Sequence, residues 1–198
     1  MMPIWVKICG IREVATAQAA CEAGANAIGL VFAESPRRVS IAQAREIVAA
    51  LPSGVESFAV VRGMNVDEIR ALLAEVTVSA LQVHCDDGMF PDFDFGVEMV
   101  PAIPAPFLKA YGTGGLQGRR YVVDSPFGAG TGKPWDFSEV ARLGGRMILA
   151  GGLDTRNVAR AIAQAQPWGI DVSSGVESAK GVKDVKLIRE FIRIARQS

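Results

Sequence analysis

A short apolar, often β-branched run followed by an amphipathic stretch rich in Ala, Glu and Arg recurs from one end of the chain to the other. This alternation restricts the fold more than any other feature, because parallel strands joined by helical crossovers are its natural product. Strand-like runs fall near residues 4–9, 26–32, 56–62, 79–84, 106–111, 120–124, 146–150 and 169–173, eight in all. Helical patterns lie near 13–23, 40–51, 66–76, 137–143, 154–165 and 183–196. Eight parallel strands, most of them followed by a helical pattern, predict an α/β fold, a (β/α)8 TIM barrel, as one domain over residues 1–198. A doubly wound open sheet also accommodates βα units, but would place a phosphate-binding glycine pattern after its first strand. Cys9-Gly10-Ile11-Arg12-Glu13 stands there instead.

Helix starts are legible where a side-chain acceptor precedes the helical pattern, at Ser40, Asn65 and Asp154. The weak stretch is 86–119, where Pro91, Pro101, Pro104, Pro106 and the glycines of Gly112-Thr113-Gly114-Gly115 oppose long helices. The helices after strands four and five are therefore expected to be abbreviated. At 198 residues the barrel is a small one.

Composition narrows the partners. Lys plus Arg equals Asp plus Glu at 21 each, so no global field recruits nucleic acid or an anionic membrane, and an anion has to be held by a local site. Three cysteines, Cys9, Cys21 and Cys85, with the single His84, lack metal-ligand spacing and read as thiols of a reducing, cytoplasmic interior. The N-terminus lacks an export pattern, and no apolar run is long enough to predict a membrane span.

Reactive groups of a parallel barrel gather at the carboxyl ends of its strands. Strand one ends Lys7-Ile8-Cys9-Gly10, and period-two alternation sends Lys7 and Cys9 to one face, with Val6 and Ile8 to the other. A thiol beside a cation can ionise and act as base or nucleophile; the plainer reading is a small buried hydrophobe. Asp124 closes strand six, placed for general acid or base work or for a turn cap. Strand eight carries Asp171 and Ser173 on one face, with Asp171 a candidate partner for the inward Lys7.

Two glycine-bearing loops, Ala150-Gly151-Gly152-Leu153 and Ser173-Ser174-Gly175, follow the last two strands and fit the phosphate site of such barrels. Gly128-Ala129-Gly130-Thr131-Gly132-Lys133 fails the nucleotide P-loop pattern, with Phe127 and Pro134 at its edges, and reads as a lid. Ser35-Pro36-Arg37-Arg38 offers an arginine able to grip a carboxylate or phosphate in bidentate fashion.

Taken in order, Lys7-Ile8-Cys9-Gly10-Ile11, Ser35-Pro36-Arg37, Leu81-Gln82-Val83-His84, Val123-Asp124 with Gly130-Thr131-Gly132-Lys133, Ala150-Gly151-Gly152-Leu153 and Asp171-Val172-Ser173-Ser174-Gly175-Val176-Glu177 resemble the phosphoribosylanthranilate isomerase family of tryptophan biosynthesis. The resemblance implies an Amadori rearrangement of a phosphorylated small molecule without cofactor or metal. It gives Asp124 the role of acid toward the ribose ring oxygen and Cys9 that of base at C2. By the same resemblance Arg37 holds the anthranilate end. Lys7, His84 and Asp171 join it in the substrate pocket, and Gly151, Gly152, Ser173, Ser174 and Gly175 take the phosphate.

Three places depart from the family pattern. Cys85 follows His84 where a glycine is usual, Val61-Arg62-Gly63 replaces Phe-Val-Asn, and Trp135-Asp136-Phe137 reverses Phe-Asp-Trp. Competing readings are the related isomerase of histidine biosynthesis or a dual-substrate form, which place an aspartate where Cys9 stands, and a non-catalytic barrel that binds a phosphorylated ligand.

Overall fold

The computed structural model describes residues 3–85, 93–111, 114–116, 118–126, 135–141 and 143–198. The expected lid residues Gly130, Thr131, Gly132 and Lys133 lie outside the described residues, as does 86–92. Eight strands, β1 (Trp5–Cys9), β2 (Ala27–Val31), β3 (Glu56–Arg62), β4 (Ala80–His84), β5 (Glu98–Pro104), β6 (Arg120–Asp124), β7 (Arg146–Leu149) and β8 (Gly169–Val172), pair in sequence order, all parallel. β8 returns to β1 with Lys7 opposite Asp171, closing the barrel. The helices are α1 (Val14–Glu22), α2 (Ile41–Ala49), α3 (Val66–Glu75), α4 (Ala105–Tyr111), α5 (Val158–Ala165) and α6 (Val185–Gln197). A small antiparallel hairpin, β9 (Glu177–Ala179) with β10 (Val182–Lys183), leads into α6.

Alternation along each strand divides the core into two. Val6, Ile8, Ile28, Leu30, Leu81, Val83 and Val123 face the helix layer. Cys9, Ala27, Phe58, Val60, Ala80, Val100, Ala102, Val122 and Ile148 fill the interior. Ser40 and Asn65 close full capping boxes at α2 and α3, with Gln43 and Glu68 answering from the third helical position. Asp154 instead accepts N–H groups of Arg156 and Asn157 in the turn that precedes α5, so this helix begins at Val158 rather than near 154.

The fifth strand lies earlier in the chain than expected. Residues 106–111 belong to α4, and β5 runs through Pro101 and Pro104. Proline ordinarily marks a strand as an edge because it cannot donate to the ladder. Here both prolines sit where a neighbour is short: β5–β6 pairing starts at Ala102, after Pro101, and β4–β5 pairing ends at Ala102, before Pro104. The Cys85 N–H donates to the Ala102 carbonyl, so Ala102 and Pro104 turn toward β4 and Pro101 toward β6. Neither missing N–H therefore interrupts a running ladder. Pro106 occupies the first turn of α4, where its N–H is not needed.

The short seven-residue α4 is the abbreviated helix expected after strand five. No helix is present in the described part of the connection after β4. A further shortening follows β6, where a 3-10 turn over Phe137–Val140 replaces the expected helix 137–143. Among the described residues no helix is long and apolar enough to cross a membrane.

Candidate active site

The carboxyl ends of the strands open into a cleft. Cys9, Arg37, His84, Asp124, Gly151, Gly152, Asp171, Ser173 and Ser174 all line it. It is built from strand ends distant in sequence, which explains why each residue alone carried so little information. Lys7 lies at the base of this group with no exposed surface, its Nζ 2.8 Å from Asp171 Oδ2 and 5.5 Å from the Phe58 ring centre.

Space for the thiol is cut by Gly29 on β2. A Cβ there would stand 2.8 Å from Cys9 Sγ and 3.1 Å from Lys7 Cε. Burial pushes the Cys9 thiol up, and the neighbouring Lys7 and Lys183 ammonium groups offset that only in part. Burial acts on Lys7 in the opposite sense, yet the adjacent Asp171 carboxylate and Cys9 together outweigh it and the ammonium is held above its usual range. Asp124 is pushed up to about 6, chiefly by burial; the Ser125 N–H donated to Oδ1 at 2.8 Å opposes the rise. His84 Nδ1 faces the second carboxylate oxygen at 3.9 Å.

The two glycine loops are interlocked. Asp154 and Gly175 form a parallel bridge between them, and a Cβ on Gly175 would meet the Leu153 carbonyl oxygen at 1.8 Å. Gly151 and Gly152 have φ of +80° and +70°, backbone that favours glycine. Trp135 Nε1 donates to the Gly151 carbonyl at 3.1 Å and Asn157 Nδ2 to the Gly152 carbonyl at 2.7 Å. Across a trans peptide the next N–H points the opposite way, so the N–H groups of Gly152 and Leu153 turn away from those side chains.

Arg37 reaches the cleft, but its guanidinium is already clamped by Glu177, Nε to Oε1 at 2.7 Å and Nη2 to Oε2 at 2.9 Å. Glu177 also takes Lys183 Nζ at 2.7 Å and the Gly181 N–H at 3.1 Å, and these cations draw its carboxyl down to about 2 against the effect of burial. Lys183, its side chain 3 % exposed, donates in addition to the Ser173 carbonyl and hydroxyl. The Ser173 hydroxyl donates to the Cys9 carbonyl at 3.1 Å. Ser173 thus ties β8 to β1 with its side chain, while its carbonyl accepts from Lys183. Sequence reasoning gave Glu177 no role of its own and passed over Lys183 entirely; a charged pair flanking the β9–β10 turn was the only available signal.

The departures from the family pattern fall into place differently. Trp135 supplies the hydrogen bond that holds Gly151 and packs at a 59° tilt against Phe137, with ring centres 5.3 Å apart. Cys85 is buried, its thiol turned to the Val83 carbonyl. Arg62, at the end of β3, adds a cation to the cleft and acts on Asp124 to favour its ionised form.

Titratable groups and two interlocked glycine loops gathered in one cleft at the carboxyl ends of a closed parallel barrel define a (β/α)8-barrel of the enzyme class. Residues 6–194 match the family described as N-(5'-phosphoribosyl)anthranilate (PRA) isomerase, and the chain belongs to it. A Pseudomonas putida N-(5'-phosphoribosyl)anthranilate isomerase is 42% identical over 202 residues, covering 97% of each chain. The crystal structure of the Thermotoga maritima phosphoribosyl anthranilate isomerase superposes with a TM-score of 0.84 at 28% identity, covering 98% of this chain and 100% of that one. A crystal structure of phosphoribosyl anthranilate isomerase in complex with reduced 1-(o-carboxyphenylamino)-1-deoxyribulose 5-phosphate matches with the same TM-score, identity and coverage.

Proposed function

We infer that Cys9 and Asp124 carry, in this chain, the isomerisation of N-(5'-phosphoribosyl)anthranilate to 1-(2-carboxyphenylamino)-1-deoxyribulose 5-phosphate, a step of tryptophan biosynthesis. The Asp124 carboxylic acid gives its proton to the ribose ring oxygen; the C1–O bond breaks and the nitrogen lone pair forms an iminium. The Cys9 thiolate takes the C2 proton, and those electrons neutralise the iminium to an enolamine. Gain of a proton at C1 and loss of one from the C2 hydroxyl completes the ketone. Asp124 ends ionised and Cys9 protonated, and proton exchange with solvent returns both groups to their starting forms before the next turnover.

The supporting observation is one cleft that holds both groups together with the interlocked glycine loops. Anchoring the phosphate at Gly151–Gly152 and Ser173–Gly175, and the anthranilate carboxylate at Arg37, fixes the reacting carbons between them. Lys7 and Asp171 support this arrangement from below, and His84 borders Asp124.

A fluorescence assay with freshly prepared phosphoribosylanthranilate tests substrate and reaction together, with the histidine-pathway aldose as control. The parent chain turns over only the former. Cys9→Ala and Asp124→Asn each lower kcat by roughly 10²-fold or more while circular dichroism and the thermal midpoint stay native-like, as loss of a positioned acid or base does. Near-parental turnover in either variant would falsify the role given to that residue.

A further inference from the structure

The cleft contains a side chain that neither the acid–base pair nor the anion sites use. Gln82 lies on β4 two residues before His84, so both point into the barrel, with Gln82 on the side away from the mouth. It lines the cleft and is only 2 % exposed. Its cross-strand neighbours are Val60 and Val100, which supply no side-chain donor. Among the described residues no group donates to Gln82 Oε1, and the same holds for Oδ1 of Asp171, whose other oxygen is taken by Lys7. Two buried, unanswered acceptors in one cleft are an arrangement that a folded chain ordinarily avoids. A ligand rich in hydroxyl donors answers both.

We propose that Gln82 is a substrate-binding residue whose Oε1 accepts a hydrogen bond from a sugar hydroxyl, with Asp171 Oδ1 as a second acceptor for the same polyol. This rests on the reading of the site as one for a phosphorylated pentose. The pairing explains why a glutamine stands on an otherwise apolar part of the inner wall. An apolar residue there would fill the space better in the free protein but leave a sugar hydroxyl without a partner, and sites built to bond a hydroxyl discriminate strongly by that means.

The test compares the parent with Gln82→Met, near in volume and flexibility, and Gln82→Leu as a second apolar replacement. Three quantities are read: kcat/KM, the inhibition constant of the reduced product analogue, and that of inorganic phosphate. Both variants are expected to keep or raise the thermal midpoint, since an unanswered buried acceptor is removed. They should lose roughly tenfold to hundredfold in kcat/KM and in analogue affinity, with phosphate inhibition unchanged. An unchanged analogue constant overturns the assignment. So does an equal loss for analogue and phosphate, or a drop in thermal midpoint that accounts for the lost activity, because these are the marks of a packing role. An inactive parent overturns the functional reading itself, and a parent active beside unaffected variants overturns only the part given to Gln82.

Discussion

Cys9 and Asp124 hold their protons at neutral pH in the reverse of the order the reaction uses. Asp124 titrates near 6, so it is mostly ionised at neutral pH, and burial keeps the Cys9 thiol above the usual 9.0. The competent form, with Asp124 protonated and Cys9 ionised, is a minor species whose abundance follows from both values. Below about pH 6, Asp124 stays protonated while the thiolate fraction grows tenfold per unit, so kcat/KM rises with pH. Between the two values, the loss of acid and the gain of thiolate cancel. Above the thiol's value only the acid continues to fall, and kcat/KM falls with it. A pH series of kcat/KM should therefore show a plateau from about 6 to beyond 9; a fall beginning near 6 as pH rises would mean that Cys9 ionises at much lower pH. The alternation around β1 made Lys7 and Cys9 legible as neighbours in the sequence. The clamp on Arg37 was not, because Glu177 lies 140 residues further along and only the β9–β10 hairpin folds it back.

At the scale of elements, the site depends on loops that a side chain would force apart. Gly151 combines a left-handed backbone with a close approach: a Cβ would stand 2.5 Å from the Ser125 N and Cβ and 2.8 Å from Asp124 Oδ1. Gly151→Ala is expected to cost roughly 1–3 kcal/mol of stability and to raise KM, measured by denaturant titration and steady-state kinetics. Gly63→Ala, also at positive φ but with open space around the added carbon, should show the smaller backbone cost and leave KM nearer the parent. The glycine pair was legible because two such loops follow the last two strand patterns. Strand five was hidden because prolines normally argue against a strand. What permits Pro101 and Pro104 is where β4 and β6 stop and start, which is a property of neighbours rather than of the segment itself.

Across the whole molecule the charges divide between the two ends of the barrel. At the amino end, buried Arg120 rests against the packed pair Trp5 and Phe58, with ring centres 5.6 and 5.2 Å from its guanidinium carbon, and is bonded to Glu56 and Glu98. Arg120→Met leaves the two carboxylates without their shared cation and should lower the thermal midpoint by several degrees, while kcat/KM stays within about twofold of the parent. A large loss of kcat/KM at unchanged stability would instead connect this end to the chemistry. The sequence by itself pointed to the barrel, through eight strand-like runs, seven of which fall on observed strands, and six helical patterns, and to the inward face of each well-formed strand, because side-chain direction there follows a period of two. Only the tertiary structure decided which inward groups meet. Closure of β8 on β1 joins Lys7 to Asp171, the hairpin carries Glu177 and Lys183 to Arg37, and Gln82 Oε1 is left without a donor among the described residues. Those relations span residues far apart in the chain, where no local periodicity reports on distance.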